Sequence, residues 1–186
     1  MRVVRAVSVA VILSIPGSLL GAPATAPPIR CDEFKSALNK SIGKFDDLLP
    51  QPSFKPDRVF PEEFQQASIP SISINLRCDK GVFQSYETGL MAGDAASIVR
   101  WLLWTQASLG AANERISKGA ALGKMKVLQS GAVQESQREL IRSGMKMGCA
   151  RVLEGRYEVR YTVQPGYLSM AMSPRGEEME ICKLVR

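Results

Sequence analysis

Apolar residues recur every three or four positions between Cys31 and Phe45. Phe34, Leu38, Ile42 and Phe45 form one stripe, and the spacing predicts an amphipathic helix whose end is weakened by Gly43. Between positions 71 and 78 the period changes to two. Ile72, Ile74, Leu76 and Cys78 share one side, Ser73, Asn75 and Arg77 the other, as in a half-buried strand. Asp79-Lys80-Gly81 reads as a hairpin turn, with 82–88 as the returning strand. Before this hairpin stand five prolines, at 50, 52, 56, 61 and 70. They argue against a long helix or a central strand there. Phe54, Phe60 and Phe64 lie within the same stretch, so 50–70 is expected to be an ordered loop pinned to the core, with one helical turn after Pro61.

Asp94 is suited to cap a further helix. Its residues Ile98, Val99, Trp101, Leu102, Leu103 and Trp104 wrap nearly the whole circumference, so the 94–109 helix is expected to be central or covered by a partner. Asn113 is expected to cap another helix running to Gln129, with Ile116, Gly119, Ala120, Gly123 and Val127 as a stripe for close packing. Residues 134–144 read as a third short helix. The C-terminal third reads as four strands, at 149–153, 156–163, 167–172 and 179–185, separated by Gly-containing turns. The order is N-terminal helix, β-hairpin, central helices and a C-terminal antiparallel β-meander, which predicts an α+β fold.

The N-terminus changes the setting of this fold. Arg2 and Arg5 precede a mostly apolar run at 6–15, which Pro16-Gly17 breaks, and Ala22-Pro23-Ala24 has the small-x-small form of a cleavage site. Residues 1–24 therefore read as a cleaved signal peptide, too short in its apolar run to serve as an anchor. The expected product is a single α+β domain, 25–186, exported by a Sec-type route to the periplasm or beyond, with no stable membrane insertion after cleavage. It keeps 22 basic and 18 acidic residues, a net charge of +4. This mild excess permits weak attraction to anionic lipid or cell-wall polymer and does not suggest nucleic acid.

All four cysteines, Cys31, Cys78, Cys149 and Cys182, lie beyond the cleavage site. An even count in an exported chain reads as two disulfides. Three pairings exist; Cys31–Cys78 and Cys149–Cys182 are preferred because each joins neighbouring elements in one half of the chain. No Cys-x-x-Cys supports redox chemistry, and the cysteines are too far apart in sequence for a zinc motif.

The chain contains no His, which removes Ser-His-Asp and Cys-His nucleophile systems and histidine-based metal sites. Ser41-Ile42-Gly43-Lys44 and Ser143-Gly144-Met145-Lys146 match Ser-x-x-Lys, where an amine one helical turn away acts as base, but no companion motif follows. Gly119 to Lys124 is one residue short of a phosphate-binding loop, and Met125 stands where a hydroxyl would hold magnesium. Met145 and Met147, and likewise Met170 and Met172, place paired thioethers on one side of a strand, the donor type copper(I) favours; core filling competes for the second pair. Trp101 and Trp104 are candidates for a ligand pocket or partner surface, with core packing as the competing reading. Asp46-Asp47, Glu62-Glu63 and Glu177-Glu178-Glu180 are adjacent carboxylates, not a pair facing across a sugar-sized gap.

These observations favour a noncatalytic exported bacterial protein that binds another protein or a cell-envelope component. No cofactor and no catalytic residue are assigned. The 94–109 helix offers a face for a partner or for a homodimer. A periplasmic small-ligand or copper(I) carrier is the alternative, and a small envelope hydrolase the second.

Overall fold

The computed structural model describes residues 27–46, 49–91, 93–176 and 182–185. Helix α1 spans Cys31–Phe45 and buries the predicted stripe, with Ser41 added to it. Asp32 and Glu33 in its first turn and Lys44 in its last complement the helix dipole. Strands β1 (Lys55–Pro56), β2 (Phe64–Ile69), β3 (Ile72–Asp79) and β4 (Val82–Met91) follow, then helices α2 (Ala95–Ala112) and α3 (Lys118–Ser143). Strands β5 (Gly148–Glu154), β6 (Tyr157–Gln164), β7 (Tyr167–Pro174) and β8 (Lys183–Leu184) complete the order.

All eight strands join one sheet in the order β1-β2-β3-β4-β7-β6-β5-β8. Neighbours are antiparallel except β5 and β8, which run parallel. The central seam joins β4 to β7, so the two halves of the chain meet in the middle of the sheet. The β3–β4 turn is the predicted one, with Lys80 and Gly81 both at positive φ (47° and 78°).

The described helices cover one face of this sheet. Helix α3 packs on β5 and β6, α2 on β4, and α1 on α2 and β4. Beneath them lie the inward residues Ile72, Ile74, Leu76, Tyr86, Leu90, Val159, Tyr161, Met170 and Met172. Two close approaches fix the helix layer. Gly110 leaves room where a methyl group would meet Ser41 Oγ, and that hydroxyl donates to the Ala107 carbonyl at 2.6 Å. Lys44 Nζ crosses the same junction and donates to the carbonyls of Glu114 and Ile116.

Several sequence expectations are corrected. The proline-rich stretch is not only a loop: it contains β1 and β2. Pro61 and Pro70 bracket β2 without interrupting it, and Pro56 sits in the outermost strand, where a missing N–H is tolerated. Of its aromatics, Phe54 packs against the core while Phe60 is exposed. The helices expected at 113–129 and 134–144 are one continuous α3, capped by Ser117 and ended by Gly144 at φ 74°. Its buried stripe is Ala121, Met125, Leu128, Gly131 and Ala132, whereas Gly119, Ala120, Gly123 and Val127 face solvent. Gly131 lies within this helix, and its missing side chain lets Val185 and Ala150 pack closely against it. Among the described residues the last strand covers Lys183–Leu184 and pairs parallel with β5, outside the antiparallel meander; residues 177–181 lie outside the described part of the chain.

Candidate binding face

With the helices on one side, the outward residues of the strands form a polar face that is open at the β1–β3 end, whereas Glu158, Ser169 and Ser173 on β6 and β7 are buried. Strand pairing aligns them in transverse rows. One row runs Lys55, Gln66, Asn75, Glu87, Ala171, Arg160, Arg151 across seven strands. The neighbouring row runs Ser68, Ser73, Gly89, Ser169, Thr162, Cys149. At about 4.8 Å per strand, Lys55 and Arg160 stand roughly 24 Å apart, with amide, hydroxyl and carboxylate groups between them.

At the β1 end, the 53–58 segment and strands β2 and β3 form an open cleft of ≈ 560 Å³. Its floor carries Gln66, Ser68, Ser73 and Asn75, and its rim Lys55 and Arg58. Asp57 also lines it, but that carboxylate is committed to its own turn. It accepts from the backbone N–H groups of Val59 (2.8 Å) and Phe60 (3.0 Å) and from Gln66 Nε2 (2.6 Å). The Phe60 and Val59 amides hold its pKa below the usual carboxylate value. Among the described residues, neither Lys55 nor Arg58 has an ion-pair partner.

At the other end, Arg151 pairs with Glu158 at 2.7 Å and donates through Nε to the Cys182 carbonyl at 3.1 Å. Glu158 is 3% exposed, yet its Oε1 has no hydrogen-bond partner among the described residues, and neither has the buried Nε of Arg160. Such orphans are uncommon in folded proteins. Between the two ends, Tyr167 lies over Gly89, where a side chain would collide with its ring, and donates to Glu87 Oε1 at 3.5 Å. Burial, and then the Glu87 carboxylate, push the Tyr167 phenol up.

The structure distributes the sequence candidates as follows. Both preferred disulfides are formed, Cys31–Cys78 and Cys149–Cys182. The first lies in the core, and Cys149 of the second belongs to the open face. Trp101 and Trp104 are 0% exposed, so neither is presented to a ligand or partner. Trp101 packs on Tyr161, and Trp104 Nε1 donates to Tyr86 Oη at 2.7 Å. The large apolar residues exposed on α2 are Ile98 and Val99. Met170 and Met172 are buried under the helices and fill the core, whereas Met145 and Met147 are exposed ahead of β5 and not on a strand. In Ser41-x-x-Lys44 both polar groups are spent on carbonyls across the α1–α2 junction. Ser143 donates back to Glu139 within α3. Glu63 pairs with Arg77 at 3.7 Å on the surface. Asp47 and the 177–180 carboxylates lie outside the described residues. Among the described residues, no three His, Cys, Asp or Glu side chains gather as a metal site, and no helix is long and apolar enough to cross a membrane.

The site residues that sequence reasoning missed are Lys55, Arg58, Gln66, Glu87 and Arg160. Their signal was the polar phase of the strands, Ser73-Asn75-Arg77 and Glu158-Arg160-Thr162, which alternation exposes without saying which strands are neighbours. Compared against protein families, curated proteins and solved structures, the chain matches none.

Proposed function

We propose that this chain is a noncatalytic exported protein that holds a cell-envelope component on the open face of its sheet. One observation carries the reading: the described helices cover only one face, and the other is a polar surface with a cleft at one end and orphaned buried polar groups at the other. Lys55 and Arg58 at the cleft are exposed cations with no ion-pair partner among the described residues, and so are free to meet an anionic group. The two disulfides and the signal-like residues 1–24 support an oxidising, extracytoplasmic setting.

The test uses the disulfide-bonded protein and purified envelope preparations, peptidoglycan sacculi and lipopolysaccharide, in a co-sedimentation assay. Ala171→Trp raises a bulky ring in the middle of the face without touching the core. Binding that this variant loses, while Ile141→Arg on the exposed surface of α3 retains it, supports the proposal. Equal binding by Ala171→Trp and the parent overturns it. Mass measurement of the exported form tests the setting: a chain starting at Thr25 and lacking four thiol hydrogens is expected, and a chain retaining Met1 contradicts it.

A further inference from the structure

We infer that the Cys149–Cys182 disulfide is a reducible latch on β8, opened by a dithiol reductant of the Cys-x-x-Cys class while Cys31–Cys78 stays closed. The two bridges sit in different surroundings. Cys31 and Cys78 are 3% and 4% exposed and belong to the hydrophobic core. A reductant reaches that bond only when the core opens. Cys149 is half-buried on β5, and Cys182 stands just ahead of β8, outside that core cluster.

The two bridges also hold different things. Cys31–Cys78 joins a 15-residue helix to an eight-residue strand, and both are kept in place by their own packing. Its sulfurs stay face to face when the bond breaks. Strand β8 has two residues, paired with Ala150 and Arg151 of β5. Beyond this pairing, the Val185 N–H donates to the Arg151 carbonyl at 2.9 Å, Arg151 Nε donates to the Cys182 carbonyl at 3.1 Å, and Val185 rests against Gly131. So short a pairing is marginal without a covalent tie. Breaking Cys149–Cys182 therefore frees β8 and uncovers the outer backbone groups of Arg151, a sheet edge of the kind to which an extended chain can add.

The chemistry is thiol–disulfide exchange. One thiolate of the reductant attacks Cys149 Sγ, in the less buried of the two residues. A mixed disulfide forms, and Cys182 leaves as a thiolate and takes a proton. The reductant's second thiolate then attacks its own sulfur in the mixed disulfide and expels Cys149. The protein disulfide gains two electrons and two protons, and the reductant becomes the disulfide. Thr162 Oγ1 donates to Cys149 Sγ at 3.7 Å, which favours the departing thiolate in the second step.

The experiment treats the fully oxidised protein, without denaturant, with dithiothreitol as the dithiol. Samples are quenched by alkylation, and each cysteine is followed by peptide mass spectrometry, with amide exchange measured in parallel. Cys149 and Cys182 should become alkylated about tenfold faster than Cys31 and Cys78, or more. Amides 183–185 should lose protection at the same rate, α1 and β3 should keep theirs, and reoxidation should restore the parent pattern. Thr162→Val should slow the reduction of Cys149–Cys182 about two- to threefold without slowing that of Cys31–Cys78. Reduction of all four cysteines together, or of Cys31–Cys78 first, overturns the inference. So does selective reduction of Cys149–Cys182 that leaves 183–185 protected.

Discussion

Tyr86→Phe removes one oxygen from the centre of the core, and its cost follows from what that oxygen does. Tyr86 Oη accepts from Trp104 Nε1 at 2.7 Å and shares a hydrogen bond with Ser108 Oγ at 3.0 Å. Tyr86 and Trp104 are fully buried. The substitution leaves the indole N–H with no acceptor and no access to water. Ser108 is not orphaned, because its hydroxyl also donates to the Trp104 carbonyl at 3.0 Å. The loss is therefore that of one buried donor, about 1–3 kcal/mol. For a chain of this size each kcal/mol lowers the melting temperature by roughly 2–4 °C, so a drop of about 2–12 °C is expected. Trp104→Phe makes the same hydrogen bond impossible and also leaves a cavity. In the Tyr86→Phe background it removes the orphan, so it should cost less than in the parent by about 1–2 kcal/mol. Urea denaturation of the four proteins, with m-values compared, gives this coupling. A Tyr86→Phe protein as stable as the parent, or a coupling of zero, refutes the hydrogen-bond account of this core.

Other consequences follow from the same structure. Burial raises Tyr86, Tyr157 and Tyr161 from 10 to about 12 in the folded protein. Their neutral forms are favoured by folding, so the stability they contribute is complete below pH 10 and lost as pH rises from 10 to 12. The urea midpoint should fall across that window, less steeply in Tyr86→Phe; a flat profile to pH 12 contradicts it. The disulfides close stretches with sequence separations of 47 and 33, each worth about 4 kcal/mol in the loop-entropy model. Cys31→Ala with Cys78→Ala removes a buried core staple and should lower the global urea midpoint. Cys149→Ala with Cys182→Ala should lower it by a similar amount and in addition release β8, seen as faster amide exchange in 183–185; unchanged exchange there would contradict this.

The parts of the fold legible in the sequence are those fixed by local period. The alternation from Ile72 to Cys78 and from Tyr157 to Val163 gave both strands and their buried sides, and Phe34, Leu38, Ile42 and Phe45 gave α1. The cysteine pairing followed because each pair joins elements of one half. What failed was decided by tertiary neighbours. Gly119 and Gly123 look like packing residues, yet Met125 and Leu128 pull α3 onto its other side. Gly131 and Ala132 resemble a break, yet they are where α3 meets β5 and Val185. Trp101 and Trp104, three apart on an apolar helix, fit a core more readily than a ligand pocket, and the covering of α2 by α1 and the sheet places them in the core. The binding face was half visible. Alternation marked Asn75 and Arg160 as outward, but only the β4–β7 seam brings them into one row.

The most direct measurement is amide chemical-shift mapping on isotopically labelled, disulfide-bonded protein as solubilised envelope glycan is added. The account predicts that shifts concentrate on the open face, at Gln66, Asn75, Glu87, Ala171 and Arg160, with the core and the outer helix surfaces unchanged. Shifts confined to the helix side, at Ile98, Val99 or Ile141, would contradict it.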